Sequence, residues 1–219
     1  MNNYDHVLNL FTDISLSVTY AQQPFRQGRH TYATNKIALI QIVSTLHEEE
    51  YDTLESPRAD LVMGKPNNRN KVFTLDGLTT LLNLVPKVLF EECDACDGTG
   101  KVNFEFEYNG DTYYHSDDCP VCHGTGEQDL PVAKRDFRYG VKFESDTWPL
   151  KQKYLVKLIQ TMQLLGIDNV RLVYADTQTY KFELSEDVEV MFLCYHPKQE
   201  YEDFFICYKG EDHGKEEQP

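Results

Sequence analysis

The stretch CDACDGTG, residues 93–100, returns 26 positions later as CPVCHGTG, residues 119–126. Both copies hold two cysteines and two glycines in the pattern CxxCxGxG. Each CxxC pair forms a tight knuckle that turns two thiolates toward one centre, and two knuckles complete a tetrahedral shell that suits Zn²⁺. The spacing therefore predicts one structural zinc ion bound by Cys93, Cys96, Cys119 and Cys122.

Glycines follow the second cysteine of each pair at fixed spacing, as Gly98, Gly100, Gly124 and Gly126. Glycine adopts positive φ at little cost, so we expect the knuckle backbone to turn N–H groups toward the sulfurs and offset their charge. Two histidines, His115 and His123, are alternative ligands. Four cysteines already fill the shell, so we interpret both histidines as surface residues.

CxxCxGxG resembles the zinc repeat of the DnaJ-type co-chaperones, which both copies match at every fixed position. That family typically carries four repeats forming two zinc sites, whereas this chain has enough for one. The His-Pro-Asp tripeptide of the J domain does not occur, since His196 and Pro197 are followed by Lys198. The resemblance covers residues 91–130 and implies the metal ligands, not chaperone activity.

The composition indicates a globular protein of 219 residues with a formal net charge of −15. Residues 91–130 hold eleven Asp and Glu against one Lys101, a charge of −10 that disfavours contact with phosphates. No signal peptide or membrane-spanning run is found, so we expect a cytoplasmic protein. The remaining cysteines, Cys194 and Cys207, lie in apolar runs and are predicted to be buried free thiols.

Hydrophobic periodicity predicts an α+β fold with mainly antiparallel strands. Helices are expected at 3–14, 73–86 and 149–166, with Thr74 and Gly166 as caps and Pro86 as a stop. Asn109-Gly110 is typical of a hairpin turn. Strands are expected in 31–43 around a turn near Asn35, and at 102–108, 139–145, 169–175, 180–185, 188–196 and 203–209.

The flanks of the cysteine segment resemble a bacterial DNA sliding-clamp domain. YATNKIALIQI and the closing run NVRLVYADTQTYKFELSEDVEVMFLCYH carry its strand pattern, and YLVKLIQTMQLL its helix. The resemblance implies a clamp-like domain of two helix-plus-antiparallel-strand units. Its halves are 1–90 and 131–208, a zinc-binding β-hairpin is inserted at 91–130, and a disordered acidic tail follows at 209–219.

In clamps the helices line the DNA and carry basic residues, and here only the third helix does, through Lys151, Lys153 and Lys157. These lysines are candidate nucleic-acid contacts, although a solvated helix face also explains them. The clamp resemblance further implies a DNA-replication or mobile-element setting. A protein partner, a homo-oligomer and DNA all remain open as interaction partners.

No phosphate-binding loop, nucleophile elbow or paired catalytic carboxylates are found in the sequence. We therefore predict a non-enzymatic, zinc-containing interaction or scaffold protein. A chaperone-like peptide-binding module that uses the zinc hairpin and its aromatic strand is the alternative. A zinc hydrolase or oxidoreductase is a third hypothesis, and it requires an open metal position or reactive thiols.

Overall fold

The computed structural model describes residues 2–47, 49–54, 58–84, 90–129, 139–194, 204–207 and 211–212. The chain folds as two compact units. The first contains Met1–Val85 and Asp136–Pro219, and the second contains Pro86–Arg135. The second unit, which holds both CxxC pairs, is therefore inserted in the sequence of the first.

The described strands and helices match the α+β class. The helices are α1 (Asn3–Leu10), α2 (Thr19–Gln22), α3 (Ala59–Met63), α4 (Leu75–Leu84) and α5 (Gln152–Leu165). The strands are β1 (Phe25–Gln27), β2 (His30–Thr34), β3 (Ala38–Val43), β4 (Lys71–Thr74), β5 (Phe90–Glu92), β6 (Lys101–Tyr108), β7 (Asp111–Asp118), β8 (Glu127–Asp129), β9 (Tyr139–Lys142), β10 (Leu150–Lys151), β11 (Asn169–Asp176), β12 (Thr179–Ser185), β13 (Val188–Leu193), β14 (Phe204–Cys207) and β15 (Glu211–Asp212).

The first unit is built on an eight-stranded sheet in the order β1-β2-β3-β13-β12-β11-β4-β15. Every neighbouring pair in it is antiparallel, as predicted. A second sheet has the order β10-β9-β14, and there β14 runs parallel to β9. The expectation of antiparallel pairing is therefore wrong for β14. Within the predicted disordered tail, Glu211 and Asp212 instead extend the large sheet beside β4.

Local signals explain where the helices begin and end. The Thr74 hydroxyl accepts a hydrogen bond from the Gly77 amide at 3.0 Å, which confirms the N-cap of α4. Gly166 ends α5 at φ 66°, the predicted left-handed cap. The first helix ends at Leu10 rather than at residue 14, because the Asp13 amide bonds to the Ala21 carbonyl and leaves Ile14 84% exposed. Pro86 lies outside the described residues.

The hydrophobic core of the first unit lies between the large sheet and helices α1, α4 and α5. The inner face of α5 buries Tyr154, Leu155, Leu158, Ile159 and Met162, all on the predicted apolar face. The buried Phe182 ring lies 5.2 Å from Phe143 and 6.3 Å from Phe192, centroid to centroid. Short helix α3 covers the other face of the sheet, where Ala59 and Met63 pack with Tyr32 and Met191.

The second unit consists of two small ribbons, β5 with β8 and β6 with β7. Asn109 and Gly110 join β6 to β7 with φ values of 53° and 85°, the positive values that a two-residue hairpin turn requires. Both long strands are exposed apart from Val102, which is half-buried. The buried hydrophobic cluster described in this unit consists of the four cysteines, with Val102 against it.

Candidate metal centre

The four cysteines of the repeats meet at one buried point. Their sulfur atoms all lie within 4.8 Å of one another. The Cys93 and Cys119 sulfurs are 3.9 Å apart, and those of Cys96 and Cys122 are 3.7 Å apart. A tetrahedral zinc site with Zn–S bonds of about 2.3 Å places its sulfurs about 3.8 Å apart. Two of the sulfur–sulfur distances therefore match a tetrahedral site, and the cluster as a whole is compatible with a metal ion.

The two knuckles are related by an approximate twofold repeat of their hydrogen bonds. The Cys93 amide donates to the Gly126 carbonyl at 2.9 Å, and the Cys119 amide donates to the Gly100 carbonyl at 2.8 Å. The first cysteine of each CxxC pair is thus hydrogen-bonded to the last glycine of the other repeat. This cross-connection explains why both repeats are needed to build one centre.

The second glycine of each repeat supplies a donor to sulfur. The Gly100 amide donates to the Cys96 sulfur at 3.2 Å, and the Gly126 amide donates to the Cys122 sulfur at 3.3 Å. The first glycines, Gly98 and Gly124, have positive φ but donate to the carbonyls of Cys93 and Cys119. N–H groups aimed at sulfur stabilise thiolates, the form that binds metal.

The sulfur environment favours ionisation at one member of the cluster. Burial raises the pKa of the Cys122 thiol, but the Gly126 amide and the neighbouring cysteines outweigh it and lower that pKa to about 6. Burial, together with the hydrogen bonds to the three neighbouring cysteines, raises the pKa of the Cys93 thiol to about 11. Four thiolates do not ionise side by side without a cation. A divalent cation would remove this conflict.

Glycine is required where the two knuckles touch. A Cβ atom on Gly100 would lie 2.4 Å from the Gly124 carbonyl oxygen, and one on Gly126 would lie 2.3 Å from the Gly98 carbonyl oxygen. Sequence reasoning identified these glycines by their spacing but not this close approach. It also missed that Asp97 and His123 adopt positive φ. Asp and His tolerate that conformation better than most residues, which was the available signal.

The cluster of four sulfurs does not include the other candidate residues that the structure describes. His123 is exposed, and His115 is exposed with its Nε2 atom 3.9 Å from Asp117. Cys194 is half-buried in the first unit, and burial followed by the Asp176 charge raises its thiol pKa. Cys207 lies in β14, and its side chain lies outside the described part of the chain.

The three lysines near α5 have different surroundings. The Lys157 ammonium donates to the Leu10 carbonyl at the end of α1 and lies 5.0 Å from the centroid of the Phe11 ring. Burial, followed by the Lys153 charge, lowers the pKa of Lys157 to about 8. Lys151 lies in β10, and Lys153 is exposed beside the Tyr154 ring. Lys157 therefore caps a helix, and the DNA contact stays a prediction.

The described helices contain no segment long and apolar enough to cross a membrane. No protein-family model and no curated protein sequence matches the chain. Among solved structures, the Helicobacter pylori beta clamp bound to a DNA ligase peptide is similar over 89% of this chain and 63% of that chain, at 7% identity and a TM-score of 0.48.

Two further solved structures are similar at comparable levels. The DNA polymerase III beta chain of Streptococcus pneumoniae is 8% identical with a TM-score of 0.46, over 90% of this chain and 64% of that chain. The DNA polymerase sliding clamp of Pseudomonas aeruginosa is 8% identical with a TM-score of 0.43, over 90% and 66%. The chain thus spans less than two thirds of the length of these clamps.

Proposed function

We propose that this protein is a non-enzymatic interaction scaffold, in which one structural Zn²⁺ fixes an acidic, aromatic hairpin as a recognition surface for a protein partner. The carrying observation is the set of four buried sulfurs within 4.8 Å of one another, next to a hairpin whose strands are exposed. A metal ion at this point would hold the hairpin in place of a hydrophobic core.

The donor set favours a structural role for the metal over a catalytic one. Four thiolates complete a tetrahedral shell and leave no position for a water or substrate, whereas catalytic zinc sites keep one open. All four cysteines are buried, so a substrate would have no access to the ion. The hydrolase and oxidoreductase hypotheses are therefore less well supported than the scaffold.

Metal analysis tests the zinc part of the proposal. Protein purified without chelator is expected to hold one Zn²⁺ per chain, and the Cys93→Ser/Cys119→Ser variant none. Cys194→Ser is the matched control, because Cys194 belongs to the first unit and is not one of the four clustered cysteines. A wild-type protein without zinc, or equal zinc in the double variant, would contradict the structural site.

The recognition part is tested by removing the aromatic side chains and keeping the metal. A Phe104→Ser/Phe106→Ser/Tyr113→Ser variant is expected to keep its zinc content. It is also expected to lose the protein partner that is recovered together with the wild-type chain. A partner identified in this way must then bind the purified wild-type chain and not the variant. Equal binding of both proteins would reject the hairpin as the recognition surface.

A chaperone-like peptide binder is the second candidate, and the half-exposed rings of Phe104 and Phe106 favour it. Such a binder suppresses the aggregation of many unfolded proteins, whereas a scaffold recognises particular partners. Light scattering of a heat-unfolded client with wild-type chain or the triple variant distinguishes the two. Suppression that depends on the aromatic rings would favour the chaperone-like function.

A DNA-replication or mobile-element setting rests on the clamp resemblance of the sequence, and DNA binding is tested separately. The charge of −10 over residues 91–130 opposes phosphate contact by the second unit. A gel shift at low salt with a Lys151→Gln/Lys153→Gln variant tests the α5 region. Size-exclusion mass measurement tests the homo-oligomer.

A further inference from the structure

The β6–β7 ribbon has two chemically different faces. Residues opposite one another in an antiparallel pair lie on the same face. The register pairs Phe104 with His115, Phe106 with Tyr113 and Tyr108 with Asp111. One face, here called the aromatic face, therefore carries Val102, Phe104, Phe106, Tyr108, Tyr113 and His115, together with the carboxylates of Asp111 and Asp117. On the other face, Glu105 and Glu107 of β6 lie opposite Tyr114 and Thr112 of β7.

The aromatic face is large enough to be a binding surface. Its rings are 50% exposed at Phe104, 53% at Phe106, 64% at Tyr108 and 44% at Tyr113. The Phe106 and Tyr113 rings stack at 5.4 Å. Four rings of about 200 Å² each, about half exposed, present about 400 Å² of aromatic surface. Contiguous apolar surface of that size on a soluble protein marks an interaction site.

Charge decides which kind of partner this face fits. Residues 91–130 carry eleven acidic residues and one lysine, and Lys101 is already paired with Asp118 at 2.6 Å. That charge repels nucleic-acid phosphates, and it repels the same face of a second copy. A partner that supplies both apolar side chains and positive charge is the complementary one.

The edge of β6 is suited to accept an extended segment. The described sheet has only two strands, so the outer backbone groups of β6 are available for a third. Along this edge Phe104 and Phe106 alternate with Glu105 and Glu107, and both glutamates are exposed. A strand added here would place one set of its side chains beside the phenylalanines and the other beside the glutamates.

We infer that the hairpin binds an extended segment of a partner protein in which apolar residues alternate with Lys or Arg, by strand addition along β6. The apolar residues of the segment extend the aromatic face, and its cations lie beside Glu105 and Glu107. The inference rests on the proposed scaffold function and names the class of partner.

The probe is an eight-residue peptide of alternating Lys and Val, as long as β6. Calorimetry with the zinc-loaded full chain measures its affinity, and amide resonances of Asn103, Glu105 and Glu107 report where it binds. A Glu-Val peptide of the same length tests charge. A Lys-Val peptide with alternate N-methylated amides keeps charge and apolarity but blocks strand addition.

The decisive variant is Glu105→Lys/Glu107→Lys, which reverses the two charges on β6 that would lie beside the lysines of the added peptide strand. It is expected to weaken Lys-Val binding at least about tenfold and to transfer the preference to Glu-Val. Asp94→Lys/Glu127→Lys is the matched control, because it makes the same change of net charge at exposed residues outside β6. This control is expected to keep most of the Lys-Val affinity.

Three results would overturn the inference. Equal losses in both variants mean that binding follows net charge alone, and equal affinity for the N-methylated peptide excludes strand addition. If no peptide binds, the inference fails, and Glu105 and Glu107 are then explained as charges that protect an open strand edge against aggregation. The scaffold proposal is judged separately, because partner recovery by the Phe104→Ser/Phe106→Ser/Tyr113→Ser variant does not depend on these peptides.

Discussion

The two units of this chain reach a stable structure by different means. The first buries large rings such as Tyr180, Phe182 and Phe192 between a sheet and helices. The second exposes both strands of its long hairpin, and its described buried cluster consists of cysteines. Modules this small rarely bury enough apolar area to fold alone, so metal binding is the expected substitute for a core.

The comparison also shows that one sequence pattern has two outcomes. β12 and β6 both alternate in hydrophobicity, and in β12 the residues Tyr180, Phe182 and Leu184 are buried in the core. In β6 the corresponding rings of Phe104 and Phe106 remain half exposed. Alternation therefore fixes which residues share a face, and the surrounding structure decides whether that face is covered.

Removing the proposed metal should produce the largest difference between the units. Cys93→Ser/Cys119→Ser leaves two thiols, so the second unit is expected to lose about 10 kcal/mol of metal-linked folding free energy. The first unit keeps its core and should remain folded. Limited proteolysis reports cleavage within the second unit, and fluorescence of the single tryptophan, Trp148, reports the first.

Chelation of wild-type protein should reproduce that result, and Zn²⁺ should reverse it. Cys194→Ser should leave proteolysis of the second unit unchanged. Loss of the Trp148 transition on chelation would show that the two units do not fold independently. Resistance of residues 86–135 to protease in the double variant would contradict the metal-dependent fold.

A core truncation should give the opposite pattern. Phe182→Ala removes a fully buried ring that contacts Phe73, Phe143 and Phe192, so the first unit is expected to lose about 3–5 kcal/mol of unfolding free energy. Urea unfolding followed by Trp148 fluorescence measures this loss. Zinc content should not change, because the four clustered cysteines all lie in the second unit.

Phe106→Ala is the matched control, since it removes the same atoms from a ring that is 53% exposed. Its effect on the Trp148 transition should be negligible. A similar loss of stability in both variants would mean that burial does not distinguish the two units.

Much of the local structure could be predicted because it depends on neighbours in sequence. Thr74 caps α4, Gly166 ends α5, and Asn109-Gly110 turns the hairpin, each through its own backbone preference. The pairing of Cys93, Cys96, Cys119 and Cys122 in one cluster was also available from spacing.

The remaining structure depends on distant contacts that a single sequence does not display. Helix α3 has five residues, too few for a helical period to be recognised, and it is held by the sheet residues Tyr32 and Met191. The parallel partner of β14 is β9, and nothing in either strand specifies direction. The contact between Gly100 and the Gly124 carbonyl likewise requires both repeats to be folded.

A methyl group at the contact between the knuckles should weaken the second unit by an intermediate amount. In Gly100→Ala the new Cβ meets a backbone oxygen, and φ of 71° is unfavourable for alanine. Together these effects should cost about 3 kcal/mol, or about a hundredfold in zinc affinity. Competition with a chromogenic chelator measures that affinity.

Gly110→Ala provides the control, because φ is 85° there and the added methyl group has no atom within 4 Å. Only the backbone conformation then opposes alanine, at about 1 kcal/mol. If the two variants bind zinc equally well, the close approach of the knuckles does not determine the stability of the centre.

The smallest expected effect is a pH dependence confined to the first unit. Partial burial opposes ionisation of Asp176, but hydrogen bonds from the Tyr174 hydroxyl at 2.8 Å and the Lys65 ammonium at 3.0 Å lower its pKa to about 2. The folded state therefore binds this proton more weakly than the unfolded state, whose pKa is 3.8. The resulting stabilisation is complete above 3.8 and is lost as the pH falls toward 2.

Asp176→Asn should therefore lower the unfolding free energy of the first unit above pH 3.8, and the difference from wild type should shrink below it. The side chain of Asp176 is 39% exposed, so solvent screening keeps the effect small. Asp187→Asn, at an exposed turn, is the matched control. A difference that stays constant with pH would mean that Asp176 acts through hydrogen-bond geometry rather than through its charge.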